Sequence, residues 1–229
     1  MHFTDRILIL RRIAHNDNTF IIDILGRRSG RISMALKTGR SAEGRRKRRL
    51  SVPPQCLDIE ALRTRKGLPV LKSVRPAYIY KHLGTDIYKT AQALFLADTL
   101  RQTLRGEPGP ESFDKFCEYF LQLDKADYDP DFHLRFMFEL SNYLGFAPQT
   151  GEKGTFFDVN EGKFTGTNGP TTLDAERSQW FKAFLQGRPV KNRKQRMEIL
   201  RIWEMYFQLH TGNYHLPESV FVYNEMLSR

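Results

Sequence analysis

Apolar positions follow the period of a strand in the first part of the chain and the period of a helix after Asp86. Ile7–Ile13, Thr19–Leu25, Arg31–Leu36, Leu57–Leu62 and Val70–Pro76 are short apolar or alternating runs. Such runs suit strands, whose successive side chains point to opposite faces of a sheet. Between them lie His15-Asn16-Asp17-Asn18, the Gly26–Gly30 segment, Pro53-Pro54 and Lys66-Gly67-Leu68-Pro69. Each break carries residues that stabilise turns: glycine tolerates positive φ, and asparagine and aspartate bond to their own backbone. Five short strands in about 75 residues predict a small closed barrel of the OB or SH3-like type.

From Asp86 to Leu104 the spacing of Ala91, Leu94, Phe95 and Leu100 predicts a helix behind a Thr85-Asp86 cap, ended by Gly106-Glu107-Pro108-Gly109-Pro110. Glu111–Leu123 forms a second, with Phe113, Phe116, Phe120 and Leu123 on one face, and Asp129-Pro130 opens a third that runs to Leu144. Residues 149–173 are rich in Gly, Thr and Asn and hold one aromatic patch, Phe156-Phe157-Asp158-Val159, which predicts a small hairpin or an irregular excursion. Helices resume at Asp174–Gln186, Lys191–Leu209 and Glu218–Leu227. The expected architecture is a five-stranded OB-fold-like β-barrel over residues 1–80, followed by an all-helical C-terminal domain over 81–229.

Charge sharpens this division. The formal net charge is +10, and a polyanion is the first partner it suggests. Residues 1–85 hold 19 Lys+Arg against 6 Asp+Glu, while residues 86–229 hold 17 against 20. The excess is densest in residues 27–49, with ten Lys+Arg, one acid (Glu43), and five basic residues in a row from Arg45 to Arg49. Cations at this density neutralise phosphates without reading sequence. Arg27, Arg28, Lys37, Arg40, Arg45, Arg46, Lys47, Arg48 and Arg49 are therefore the candidate DNA-binding residues. Gly39, Ser41 and Gly44 predict a connection flexible enough to follow a strand; the composition of 38–55 points away from order without DNA, and the sequence leaves that order open. Arg11, Arg12, Arg63, Arg65, Lys66 and Lys72 can extend a backbone track. The barrel has few aromatics, and Phe20 reads as core, so sequence-tolerant and salt-sensitive binding is expected. The bland alternative is a solvated charged loop; charge alone also leaves RNA open as the partner.

Catalytic signatures are missing: there is no GxxxxGK[ST], GxGxxG after a strand, GxSxG or HExxH. Asp127, Asp129 and Asp131 invite a Mg²⁺ reading, but Asp129-Pro130-Asp131 more simply opens a helix. Two cysteines, Cys56 and Cys117, cannot build a four-cysteine zinc site. The apolar run Ile7–Leu10 is too short for a signal or membrane segment. A cytoplasmic, non-enzymatic protein with reduced thiols, no cofactor and no membrane is expected.

The order of these features resembles a known family. The opening RILILRRIAHNDNTFIIDILGRRSGRISMALKTGRS is similar to the start of RecO, the bacterial recombination mediator. Leu71-Lys72-Ser73-Val74-Arg75-Pro76 resembles that family's last barrel strand, and Leu134–Phe136 through Leu144-Gly145-Phe146-Ala147-Pro148 its helix ending in an LG[YF]xP pattern. Tyr206–His210 and Val220–Leu227 also fit. The resemblance implies an OB-fold with a helical domain, binding and annealing of single strands, partnership with RecR, recognition of the acidic C-terminal tail of SSB, and loading of RecA onto gapped DNA. It also implies that the SSB tail docks on the helical domain, where Arg135 matches a basic position. One departure stands out: many members carry four zinc-binding cysteines just after LGxxP, and Gln149–Val159 has none. The chain thus resembles a zinc-free branch whose excursion is held by packing alone.

Overall fold

The computed structural model describes residues 1–151 and 153–220. Five strands close a barrel in the order β1-β2-β3-β5-β4. β1 (His2–Asn16) pairs antiparallel with β2 (Thr19–Gly26) and with β4 (Cys56–Leu62), β2 with β3 (Gly30–Lys37), and β4 with β5 (Val70–Pro76). A single parallel register, Ala35 opposite Val70, joins β3 to β5 and completes the ring. β1 outruns its apolar stretch because it serves two partners. Residues 2–8 lie opposite β4 and 7–16 opposite β2, and an irregularity between Ile9 and Arg11 bends the strand from one to the other. Inside are Ile7, Ile9, Ile22, Ile24, Met34, Leu36, Leu57, Ile59, Leu71 and Val74, an aliphatic core drawn from alternate positions. Leu8 and Leu10 point the other way and are buried too. That is why Ile7–Leu10 is apolar without alternation: α2 packs over the outside of β1 and β2.

The connection between β3 and β4 is the main departure from expectation. It is not a flexible loop: it contains α1 (Ala42–Leu50), followed by α2 (Ile87–Thr103) and α3 (Pro110–Lys125) later in the chain. Asp86 caps α2 by accepting the Tyr88 and Lys89 N–H groups at 2.9 and 3.1 Å. The buried Lys89 ammonium donates to the Asp124 and Ala126 carbonyls at 3.1 and 2.6 Å, placing a cation on the C-terminal end of α3. The Asp124 carboxylate accepts the N–H groups of Lys81, His82 and Leu83, fixing the segment between barrel and helices. Burial opposes its ionisation, but those three donors outweigh burial and hold its carboxyl below the usual range.

The chain divides into two compact units. One contains Met1–Tyr128 and, at the end of the described residues, 217–220; the other is Asp129–Leu216. The second unit comprises α4 (Phe132–Leu144), a hairpin of β6 (Phe156–Asp158) and β7 (Lys163–Thr165), α5 (Ala175–Leu185) and α6 (Arg193–Thr211). Its core is aromatic. Phe157 meets Phe164, Phe181 and Tyr206 at ring separations of 5.1, 4.8 and 5.8 Å, and Trp203 meets Phe181 and Phe207 at 5.2 and 5.9 Å. The Tyr206 hydroxyl donates to the Phe146 carbonyl at 2.6 Å, and burial raises its pKa to about 12. The Phe157 N–H donates to Ser178 Oγ at 2.9 Å. Rings and these bonds give the 149–173 excursion its shape. The predicted helix Glu218–Leu227 lies almost wholly outside the described residues.

Candidate nucleic-acid interface

The basic run folds as a helix for local reasons. Lysine and arginine are good helix formers. Ser41 caps the N-terminus, its Oγ accepting the Gly44 N–H at 3.0 Å. Glu43 sits in the first turn and Lys47, Arg48 and Arg49 in the last, the arrangement that complements the helix dipole. Gly44 is buried against Gly39, and a Cβ there would come within 2.5 Å of the Gly39 carbonyl oxygen. The glycine that suggested flexibility thus permits close packing. Leu50, half-buried, packs against the barrel core.

Arg12 fixes the other end of α1. From β1 its guanidinium donates to the carbonyls of Arg48 and Ser51 at 2.7 and 3.0 Å, two acceptors at the end of the helix. The Phe20 ring lies under both Arg12 and Arg48, at 5.0 and 5.2 Å from centroid to guanidinium carbon. Burial, and then the charge of Arg48, lowers the pKa of Arg12, which remains a cation. Phe20 is core, as predicted, and is also the platform for two arginines.

With both ends held, α1 displays Arg45, Arg46, Arg48 and Arg49 to solvent, with Lys47 half-buried and Arg40 exposed before it. Arg45 donates to the Arg40 carbonyl, and Arg46 lies 3.6 Å from Glu43. The registers bring further cations to the same rim. Lys37 ends β3 opposite Thr19, beside the β1–β2 turn. The β4–β5 loop reaches that rim through Ala35–Val70 and the bond from Ala35 N–H to the Pro69 carbonyl at 2.8 Å, bringing exposed Arg63, Arg65 and Lys66. The β1–β2 and β4–β5 loops, with the β2–β3 face between them, are the elements an OB-fold uses for oligonucleotides. On that face Ile13, Ile21 and Ala35 pair across the strands with no aromatic side chain among them. The surface therefore offers phosphate contacts and little stacking.

Arg27 and Arg28 fall elsewhere. They lie at the opposite end of β3 from Lys37, roughly 25 Å away at about 3.3 Å per residue. Arg27 is engaged by Asp114 of α3 through bonds of 2.8–3.1 Å, which hold the Asp114 carboxyl below the usual range. Arg28 borders a cleft of about 650 Å³ in which Arg6 pairs with Asp58 at 2.7 Å. Cations and carboxylates are mixed there, whereas α1 carries five basic residues and one acid. Arg135, on α4, is exposed and forms an ion pair with Asp129. Asp131 binds Arg196 at 2.6 Å and the Val190 N–H at 3.2 Å, so Asp129 and Asp131 both engage protein groups.

Comparison with known proteins decides the family. The model described as "Recombination protein O C terminal" matches residues 84–219, more than half the chain. The chain belongs to the RecO family. The DNA repair protein RecO of Christiangramia forsetii is 31% identical over 165 residues, covering 68% of this chain and 69% of that protein. The RecO of Phocaeicola vulgatus is 28% identical over 239 residues, covering 96% and 97%. That of Flavobacterium johnsoniae is 29% identical over 184 residues, covering 77% and 78%. RecO membership places the chain in DNA repair and recombination. Among the described residues no helix is long and apolar enough to cross a membrane.

Proposed function

We propose that the chain is a non-enzymatic, cytoplasmic recombination mediator that binds single- and double-stranded DNA, anneals complementary strands coated with SSB, and with RecR helps load RecA on gapped DNA. The observation that carries this reading is α1: in a RecO-family chain, a pre-formed helix displays arginines on the barrel rim that holds the oligonucleotide-binding loops. The task is charge neutralisation. Two phosphate backbones repel each other, a dense cationic surface releases their counterions, and base pairing then selects the match. No bond is made or broken by a side chain. Lys37, Arg40, Arg45, Arg46, Lys47, Arg48 and Arg49 carry the DNA contact, with Arg28 peripheral and Arg27 the least available. On the second unit, Arg135 is the contact for the acidic SSB tail, whose carboxylate takes the place of Asp129.

The test is annealing of complementary oligonucleotides coated with the cognate SSB, at several salt concentrations, beside SSB lacking its tail. Annealing that needs the tail and falls with salt supports the mediator. DNA binding without annealing of coated strands sinks it and brings an RNA-binding OB-domain factor forward. Reversing Arg45, Arg46 and Arg49 to Glu is expected to abolish annealing while leaving the thermal unfolding transition in place.

A further inference from the structure

The second unit hides a concentration of charge that its total conceals. Asp129–Leu216 contains eleven Lys+Arg against ten Asp+Glu, yet Lys182–Arg196 holds six Lys+Arg and no acid. This stretch folds around a cleft of about 420 Å³ between α5 and α6, lined by Gln179, Trp180, Lys182, Gln186, Arg188 and Lys191. Its backbone is ordered. Asn192 caps α6 by accepting the Gln195 N–H at 2.9 Å, and Gln195 Oε1 accepts the Lys191 N–H at 2.8 Å. Lys182 is a fixed wall, donating to the Gly154 carbonyl at 2.9 Å and lying 4.9 Å from the Phe164 ring centroid. Arg188, Lys191, Arg193 and Lys194 are exposed.

The two tryptophans have different settings. Trp203 is fully buried in the stack of rings. Trp180 lines the cleft half-exposed, with the Lys194 ammonium 6.0 Å from its ring centroid. A half-exposed indole flanked by exposed cations and side-chain amides is a stacking platform with phosphate partners.

We propose that the α5–α6 cleft is a second contact for single-stranded nucleic acid: a base stacks on Trp180, and Arg188, Lys191 and Lys194 neutralise the flanking phosphates. Gln179 and Gln186 offer amides to base edges. Ala183, Pro189 and Gln195 complete the lining, but the one half-exposed ring with cations and glutamine amides around it matches a base between two phosphates, and an acidic peptide is kept as an outcome of the test. The inference rests on the mediator reading and deepens it, since annealing needs two strands on one protein and this cleft gives the second a contact separate from the α1 surface.

The experiment uses the full chain and an oligothymidylate. Trp180 fluorescence is expected to be quenched in a saturable, salt-sensitive way, and the Trp180→Phe variant, left with buried Trp203, is expected to lose that quenching. The R188E/K191E/K194E variant is expected to bind the strand about tenfold more weakly at low salt. Its dependence of log affinity on log salt should be shallower by about 2, because each phosphate contact on a single strand contributes about 0.7. A dye-labelled strand that binds wild type without quenching, together with an unchanged salt slope in the triple variant, overturns the cleft while leaving the α1 reading standing. An aspartate-rich peptide that quenches Trp180 where the oligonucleotide does not also overturns it, in favour of a peptide site. Loss of binding in the Arg45/Arg46/Arg49 reversal alone counts against the cleft; no strand binding by wild type defeats both readings.

Discussion

The two units solve the problem of a stable core in opposite ways. The barrel closes its own hydrogen-bond ladder, and its core is mostly isoleucine, leucine and valine at alternate positions, with Met34 and a single buried ring, Phe20. The second unit has four helical and hairpin pieces with little backbone bonding between them. It relies on large rings in mutual contact: Phe157, Phe164, Phe181, Trp203 and Tyr206. A closed ladder tolerates loss of one side chain better than a ring stack does, and it leaves the barrel rim free for charge. Redundancy in the first unit and interdependence in the second are what experiments should separate.

The largest expected effect is in the stack. Phe157→Ala should cost about 3–5 kcal/mol, as truncation of a buried phenylalanine does, whereas Ile22→Val in the barrel should cost about 1 kcal/mol. Denaturant unfolding of both variants checks the contrast, and equal losses break it. Next comes acidity. His133 is fully buried in the second unit, and burial, then the charge of Arg196, lowers its pKa from 6.5 to about 3. Its folded form is neutral, so the unfolded chain takes up the extra proton between those values. The contribution of His133 is therefore complete above about pH 6.5 and is lost as pH falls toward 3, at about 1.4 kcal/mol per unit. Unfolding followed from pH 7 to pH 5 should show this slope, and His133→Leu should flatten it. An unchanged slope would mean that the pH response arises elsewhere.

Smaller effects belong to α1. Gly44→Ala would stabilise an exposed helix by up to about 1 kcal/mol. Here the Gly39 backbone stands in the way, and a loss of about 1–3 kcal/mol is expected, with weaker oligonucleotide binding. A stabilised variant would show that α1 does not pack as described. Arg12→Ala should cost least, about 1 kcal/mol, by removing two bonds to the helix end and one cation over Phe20. Circular dichroism and the salt dependence of binding together distinguish a frayed α1 from a merely less charged one.

Strands and most helices were legible in the sequence because apolar spacing reports a buried face. Turn residues between Ile13 and Thr19, and between Leu25 and Arg31, marked the hairpins whose registers the structure shows. α1 was not legible by that route, since its run of cations has no apolar stripe; Ser41 as a cap and the helix propensity of arginine were the available signals. The pairing of Arg27 with Asp114 was not legible, because the two lie 87 residues apart in the chain. The α5–α6 cations are masked in the sequence because acids elsewhere in residues 86–229 cancel them in the sum. Net charge over a long window is blind to such segregation.

The clamp of Arg12 and Arg48 on Phe20 has a thermodynamic consequence. A disordered arginine loop would have to fold as it met its ligand, burying surface and showing a large negative heat-capacity change. A helix already pinned at both ends brings its charges in place, and its association is dominated by the entropy of released ions. Calorimetry of oligonucleotide binding at the α1 surface should therefore give a heat-capacity change near zero, with an affinity that responds far more to salt than to temperature.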